Sequence, residues 1–352
     1  MAAQFIAPLI AAEHGVGHAS ELVSSRCRMQ AGGVVIPYDI SGANLLGLPR
    51  ALWRIFAFLK SRRPDLVISH NTKSSPLPLL AALCVGVPNR VYFNHGVPYV
   101  GYKGGLRWLL RWLERINCSL ATHVVTVSAD MKALLQDVSP SVSASVILYG
   151  SASGVDLQAF APGRYSRIGW RQVHGLLDDD LVVVYVGRPE VRKGFELVLR
   201  LWSAHFREPH FRLILCGPER QDVRRHLPAI PANVTCLGFV NNVPEVLAGS
   251  DLLILPSHHE GLSYACIEGQ ASGAIVVAND ISGIRCLIED GINGFLVPGN
   301  AMEKYVEIIR RIDADRAGFE DVRRQARASA ARFSREIFLP AYLSFLSSVS
   351  VQ

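Results

Sequence analysis

Glu260-Gly261-Leu262-Ser263-Tyr264-Ala265-Cys266-Ile267-Glu268 follows directly on the apolar run Leu252–Leu255 and Pro256-Ser257. A short apolar run closed by turn residues predicts a buried strand, and the stretch after it predicts a turn leading into a helix. A strand that ends there delivers its loop to the carboxyl edge of a parallel sheet, where open α/β folds bind ligands. The first N–H groups of the following helix can face a phosphate placed at that edge. Glu260 falls in the loop, and Glu268 lies about two helical turns further along at ~1.5 Å per residue. Ionised carboxylates accept hydrogen bonds well from vicinal hydroxyls. The layout suits a sugar nucleotide, although two glutamates at this spacing also occur on solvated helix faces.

Outward from this stretch, strand-like and helix-like runs alternate through both halves of the chain. After Gly273 comes the apolar run 274–278, then Gly283 and the turn-rich segment 289–294. Before it, strands are predicted at 181–187, 211–216, 233–237 and 252–255, and after it at 275–278 and 295–297. Helices are predicted at 194–205, 220–226, 243–248, 263–271 and 303–312. In the first half the predicted strands are 19–24, 34–37, 65–69, 90–94, 123–128 and 145–148, with helices at 45–61, 76–85, 106–120 and 129–136. The alternation predicts two parallel, doubly wound α/β domains. The expected division is residues 1–160, residues 161–333, and a helical tail 334–352 that packs back on the first domain. A length of 352 residues also favours two cores over one.

The composition is globular, with 49% hydrophobic and 19% charged residues. No run of 18 or more apolar residues is present, so no spanning segment is expected. Residues 1–12 lack a basic leader and reach Glu13 at once, and they read as a helix that packs inside. The seven cysteines are odd in number, with no Cys-x-x-Cys pair, and read as free thiols of a cytoplasmic protein. Charge is uneven. Residues 1–160 hold 14 Lys and Arg against 8 Asp and Glu, while residues 161–352 hold 22 of each. A basic half can face nucleic acid, anionic lipid or a phosphorylated substrate. Nothing in the chain resembles a zinc finger, an RNA-recognition motif or a basic zipper, so nucleic acid is not expected as a partner.

The second half resembles the retaining glycosyltransferase family 4 on the two-Rossmann GT-B fold. The likeness rests on Gly187-Arg188, Lys193-Gly194, Cys216-Gly217-Pro218, Leu237-Gly238-Phe239, Asp251, Pro256-Ser257, Glu260 to Glu268, Gly283, and Gly291 to Gly294. The first half, through His70-Asn71-Thr72-Lys73, Asn94-His95-Gly96, Leu113-Glu114-Arg115, Val127-Ser128 and residues 150–156, is similar to the members that build capsule and O-antigen polysaccharides. The resemblance implies two Rossmann-like domains facing a cleft. It also implies transfer of a sugar from a nucleotide-sugar donor, UDP-N-acetylhexosamine being the first choice, to a polyprenyl-diphosphate-linked saccharide. Arg188 and Lys193 would hold the diphosphate, since prearranged cations stabilise the charge that builds on the leaving group better than reorganising water does. Glu268 would bind the ribose and Glu260 the sugar hydroxyls, with Gly261, Leu262 and Ser263 in the same loop and Gly238 and Phe239 near the base.

His95, after a predicted strand and before Gly96, would contact the donor sugar, or else be an ordinary structural histidine. Lys73, at another strand end, would touch acceptor phosphate or simply be a surface lysine. No Asp-x-Asp pattern stands at a strand end, and Asp178-Asp179-Asp180 reads as a solvated turn, so neither metal nor cofactor is expected. The helix carrying Arg107, Arg111 and Arg115 beside Trp108 and Trp112 suits either peripheral contact with an anionic membrane on its cytoplasmic face or an amphipathic core helix with a basic outer side. Three features depart from the family pattern. The first domain opens inside what is usually a Gly-rich turn and so lacks a first strand, Ser153 replaces a common Asn, and Gly269-Gln270 replace a more usual Ala-Met. A UDP-sugar epimerase on the same fold and an inactive sugar-nucleotide-binding remnant are the alternative functions.

Overall fold

The computed structural model describes residues 2–16, 22–24, 33–35 and 47–350. Parts of the strands expected at 19–24 and 34–37, and the start of the helix expected at 45–61, lie outside the described residues. The chain divides into two compact units, Met1–Gly154 with Arg335–Gln352, and Val155–Ser334.

Unit 1 runs α1 (Ala2–Gly15), β1 (Leu22–Ser24), β2 (Gly33–Val35), α2 (Leu48–Arg62), β3 (Leu66–His70), α3 (Pro76–Val85), β4 (Asn89–Asn94), α4 (Gly104–Leu120), β5 (His123–Thr126), α5 (Ala129–Val138) and β6 (Ala144–Val146). Strands β3-β4-β5-β6 form one sheet, all parallel, and β1 pairs with β2, also parallel, in a second. Val91, Tyr92 and Phe93 of β4 are fully buried, as a central strand covered on both faces requires. Residues 2–15 form the helix the sequence predicts, with Leu9 buried. The C-terminal helix, numbered α13 below and spanning Arg335–Ser350, belongs to this unit. Its Tyr342 hydroxyl donates to Glu13 Oε1 of α1 at 2.6 Å.

Unit 2 runs α6 (Arg167–Val173), β7 (Leu181–Val186), α7 (Phe195–His205), β8 (Phe211–Cys216), α8 (Arg220–Arg224), β9 (Val234–Gly238), α9 (Val243–Gly249), β10 (Leu252–Leu255), α10 (Tyr264–Ser272), β11 (Ile275–Asn279), β12 (Phe295–Val297), α11 (Met302–Ala314) and α12 (Glu320–Ala331), after which α13 returns to unit 1. Its six strands are parallel in the order β12-β11-β10-β7-β8-β9. Strands β7, β8, β10 and β11 are near-continuous apolar runs, because helices cover both faces. The order runs one way from β7 and the other way from β10. These two neighbours therefore flank the topological switch point, whose carboxyl edge is the binding position of a doubly wound sheet.

Two readings need correction. Helix α6 was not anticipated. Its Arg171 is fully buried and donates to Asp251 Oδ2 at 2.7 Å, while Arg167 reaches Oδ1 at 2.5 Å. The turn at 178–180 is not solvated throughout. Asp180 is buried and accepts from Leu177 N, and carbonyls of this turn accept from Arg171 and Arg316. Helix α4 is amphipathic, with Arg107 and Arg115 exposed on its outer side. Leu110, Glu114, Asn117 and Cys118 form its inner face, and Trp108 and Trp112 are 68% and 48% exposed.

Candidate functional site

In unit 2 the expected residues lie at carboxyl ends of the strands or in the loops and helix after them, and Lys193 and Glu260 meet at the switch point. After β7 the chain makes a tight 3-10 turn, Val191–Lys193, and passes through Gly194 at φ 69°. A Cβ on Gly194 would lie 2.0 Å from the Pro256 carbonyl oxygen, so only glycine lets this loop rest on the end of β10. His258 N donates to Arg192 O at 2.9 Å and closes the same contact. The result is an ion pair, Lys193 Nζ to Glu260 Oε1 at 2.6 Å, joining residues 67 positions apart. Ser257 Oγ donates to the same oxygen at 2.8 Å. Asn279 Nδ2 holds the Ser257 carbonyl at 3.0 Å, and the buried Tyr305 hydroxyl donates to Asn279 Oδ1 at 2.9 Å. Glu260 is thus fixed through one oxygen, and among the described residues Oε2 takes no hydrogen bond.

The loop from Glu260 is pressed against Gly283, at φ 79°, where a Cβ would come within 2.5 Å of the Glu260 carbonyl oxygen and 2.7 Å of that of Gly261. Leu262 is buried. Ser263 caps α10 by accepting from Cys266 N, and its own N–H donates to Gly283 O. Glu268, in α10, is only half-buried but poorly hydrated. Desolvation alone lifts its carboxyl to a pKa of about 7, and among the described residues nothing donates to it. Arg188 is half-exposed and turns toward Glu190 at 2.7 Å, while the buried Tyr185 hydroxyl donates to the Arg188 carbonyl at 2.8 Å. Gly238 stands at φ 64° at the end of β9, its carbonyl accepting from Gly217 N at 2.7 Å, and Phe239 is 83% exposed.

In unit 1, His95 follows β4 and Lys73 follows β3. Lys73 is exposed. His95 Nε2 lies 2.8 Å from His70 Nδ1, at the end of the neighbouring strand. Behind the two loops, Glu114 of α4 is fully buried, and among the described residues no cation touches it. It accepts from Thr72 Oγ1 at 2.5 Å, Tyr92 OH at 2.6 Å and, more distantly, Asn94 Nδ2. Burial raises its pKa to about 7, and the three donors hold it back from rising further. His70, Tyr92, Glu114, Ser257, Asn279 and Tyr305 were not assigned to either site from the sequence. The strand-end position of His70 was a usable signal, since it matches that of His95; the others show only once the strands are paired.

A switch point carrying a lysine–carboxylate pair, a desolvated carboxyl and glycines that admit close backbone approach has the layout of the ligand-binding edge of a doubly wound α/β domain. Residues 180–315 match the family model described as Glycosyl transferases group 1, and residues 9–150 match that described as Glycosyl transferase 4-like domain. The chain belongs to this glycosyltransferase family. It is 26% identical over 294 residues to the UDP-Gal:alpha-D-GlcNAc-diphosphoundecaprenol alpha-1,3-galactosyltransferase of Escherichia coli, a match covering 80% of this chain and 74% of the relative. It is 23% identical over 299 residues to the capsular polysaccharide biosynthesis glycosyltransferase CapM of Staphylococcus aureus, covering 82% and 78%. In fold it is similar to sucrose-phosphate synthase from Thermosynechococcus elongatus, with a TM-score of 0.81 at 19% identity over 99% of this chain and 94% of that one. The fold is therefore GT-B.

Proposed function

We propose that this glycosyltransferase moves a sugar from a UDP-linked donor to a polyprenyl-diphosphate-linked saccharide during cell-envelope polysaccharide assembly, with retention at the anomeric carbon and without a metal. The observation that carries the reading is the Lys193–Glu260 pair at the switch point, with Glu268 undersupplied with donors in the helix just beyond it. Ribose hydroxyls would supply what Glu268 lacks. Glu260 keeps one oxygen for a sugar hydroxyl, and Lys193 with Arg188 would neutralise the departing diphosphate. His95 would contact the donor sugar and Lys73 the acceptor phosphate. With retention, the leaving phosphate oxygen takes the proton of the acceptor hydroxyl as that hydroxyl attacks from the same face, so no protein base is required.

The acceptor class is supported by the names of the Escherichia coli and Staphylococcus aureus relatives. It is also supported by the outer face of α4, where Leu106, Trp108, Leu109 and Trp112 stand exposed beside Arg115. Aromatic and cationic side chains together suit the headgroup layer of an anionic membrane. Among the described residues no helix is long and apolar enough to cross a membrane.

The test is to incubate the purified chain with UDP-N-acetylhexosamines and UDP-galactose, with and without polyprenyl-diphosphate-linked saccharide in mixed micelles, in buffer with and without chelator. Product linkage is then read by NMR. Transfer that needs the acceptor, survives chelation and keeps the donor's anomeric configuration supports the reading. Isomerisation of the UDP-sugar without acceptor would identify an epimerase, and UDP binding without turnover would identify a remnant.

A further inference from the structure

We infer that Asn279 is a positioning residue for Glu260: its side-chain amide clamps the end of β10, so that Ser257 and Lys193 commit one oxygen of that carboxylate and leave the other for substrate. This rests on the reading of Glu260 as a contact to sugar hydroxyls.

Asn279 closes β11 and is buried. Its amide meets three partners along the carboxyl edge of the sheet. Nδ2 donates to the Ser257 carbonyl, after β10, at 3.0 Å, and to Oδ1 of Asn300, after β12. Oδ1 accepts from the Tyr305 hydroxyl of α11 at 2.9 Å. Two oxygens here need donors and one hydroxyl needs an acceptor, which is the inventory of a primary amide. An ionised Asp in its place would set oxygen against the Ser257 carbonyl, and a Thr would bring one donor for two acceptors. A carbonyl is never a donor, so Ser257 fixes which way the Asn279 amide faces.

The clamp reaches Glu260 through a short relay. Holding the Ser257 carbonyl fixes that residue's backbone, and with it the direction from which Oγ donates to Glu260 Oε1 at 2.8 Å. Lys193 Nζ meets the same oxygen at 2.6 Å. A second arm runs through Asn300, held at φ 60° with Nδ2 3.2 Å from His258 Nδ1, and His258 N donates to Arg192 O beside Lys193. The loop carrying the carboxylate and the turn carrying the ammonium are thereby tied to one buried amide. A glutamate side chain has three rotatable bonds, and two donors on a single oxygen hold the other at one place. A reacting sugar needs that constancy, because a displacement of about 1 Å at a contact can cost about a hundredfold in rate.

The experiment compares Asn279→Leu, which keeps the volume and removes both N–H groups without adding charge, with the milder Ser257→Ala, which removes only the last link of the relay. Both are made alone and combined with Glu260→Gln. The readouts are kcat and donor KM for sugar transfer, thermal unfolding, and the ¹H–¹⁵N signal of the Lys193 ammonium in the ligand-free protein, which its ion pair protects from exchange with water. Asn279→Leu is expected to lower kcat about thirtyfold and Ser257→Ala about tenfold, with donor KM within about threefold. On the Glu260→Gln background either change should cost no more than about threefold further, because the group they position is already altered. The Lys193 signal should broaden in both single variants and vanish in Glu260→Gln. An unchanged kcat or an unchanged Lys193 signal in the folded single variants, or a loss that recurs in full on the Glu260→Gln background, would overturn the inference. Full turnover in Glu260→Gln alone would refute the sugar-contact reading, and the Lys193 signal would still judge the clamp.

Discussion

Asp251 and Glu268 flank the same strand of unit 2, one just before β10 and one in the helix after it, and their carboxyls meet opposite treatment. Asp251 is saturated: Arg167 reaches one oxygen, and Arg171 and the Val182 N–H reach the other. Glu268 receives nothing among the described residues, and its pKa rises to about 7. A carboxylate is costly to desolvate unless donors surround it, and the fold supplies them at one end of the strand and withholds them at the other. The first acid holds α6 against the sheet. The second is left able to accept hydrogen bonds from a ligand.

The contrast breaks most readily at the saturated end. Asp251→Ala strands the buried Arg171 guanidinium and should cost about 3–5 kcal/mol of stability, read by urea unfolding. If the loss is under 1 kcal/mol, the cluster is not holding the unit. At the switch point, Lys193→Ala and Glu260→Gln should each lower kcat by about 10²–10³ while the unfolding temperature moves by only a few degrees. A collapse of stability in either variant would make the pair a brace and not a site.

Glu268→Gln sharpens the comparison through pH. The folded carboxyl titrates at about 7 against an ordinary 4.5, so the fold favours its protonated form. The resulting cost is absent below about pH 4.5, grows as pH rises toward 7 and is fully present above 7. The Gln variant should therefore be more stable than the parent at pH 8, by on the order of 2 kcal/mol, and equal to it at pH 4. It should also raise donor KM about tenfold and remove the fall in donor KM expected of the parent as pH rises through 7. Smallest is the effect at α4. Trp108→Ser with Trp112→Ser should weaken binding to anionic vesicles several-fold and leave turnover on a short-chain, water-soluble acceptor unchanged.

Much of unit 2 was legible in the sequence because its strands are nearly uninterrupted apolar runs. The predicted strands 211–216, 252–255 and 295–297 coincide with those observed, since turn residues or charge close each run on both sides. Helix α6 was not legible. It has seven residues, as many apolar as polar, and an apolar stripe too short to show a period. Its anchor, Arg171 on Asp251, spans 80 positions and cannot be read along the chain. The same holds for Lys193 on Glu260. Each residue was picked out separately, for diphosphate and for sugar, and only the fold shows them to be partners. His70 illustrates the remaining limit. A histidine at a strand end is visible in the sequence, but its meeting with His95 depends on the parallel register that sets Ser69 opposite Tyr92 and His70 opposite Phe93.

The dry surroundings of Glu268 imply a thermodynamic signature of donor capture. On the proposed contact of Glu268 with ribose hydroxyls, which favour the anion, uptake of a UDP-sugar at pH 6.5 should expel hydrogen ion into the medium. The heat of association should then change with the ionisation enthalpy of the buffer, and in the Gln variant that dependence should vanish.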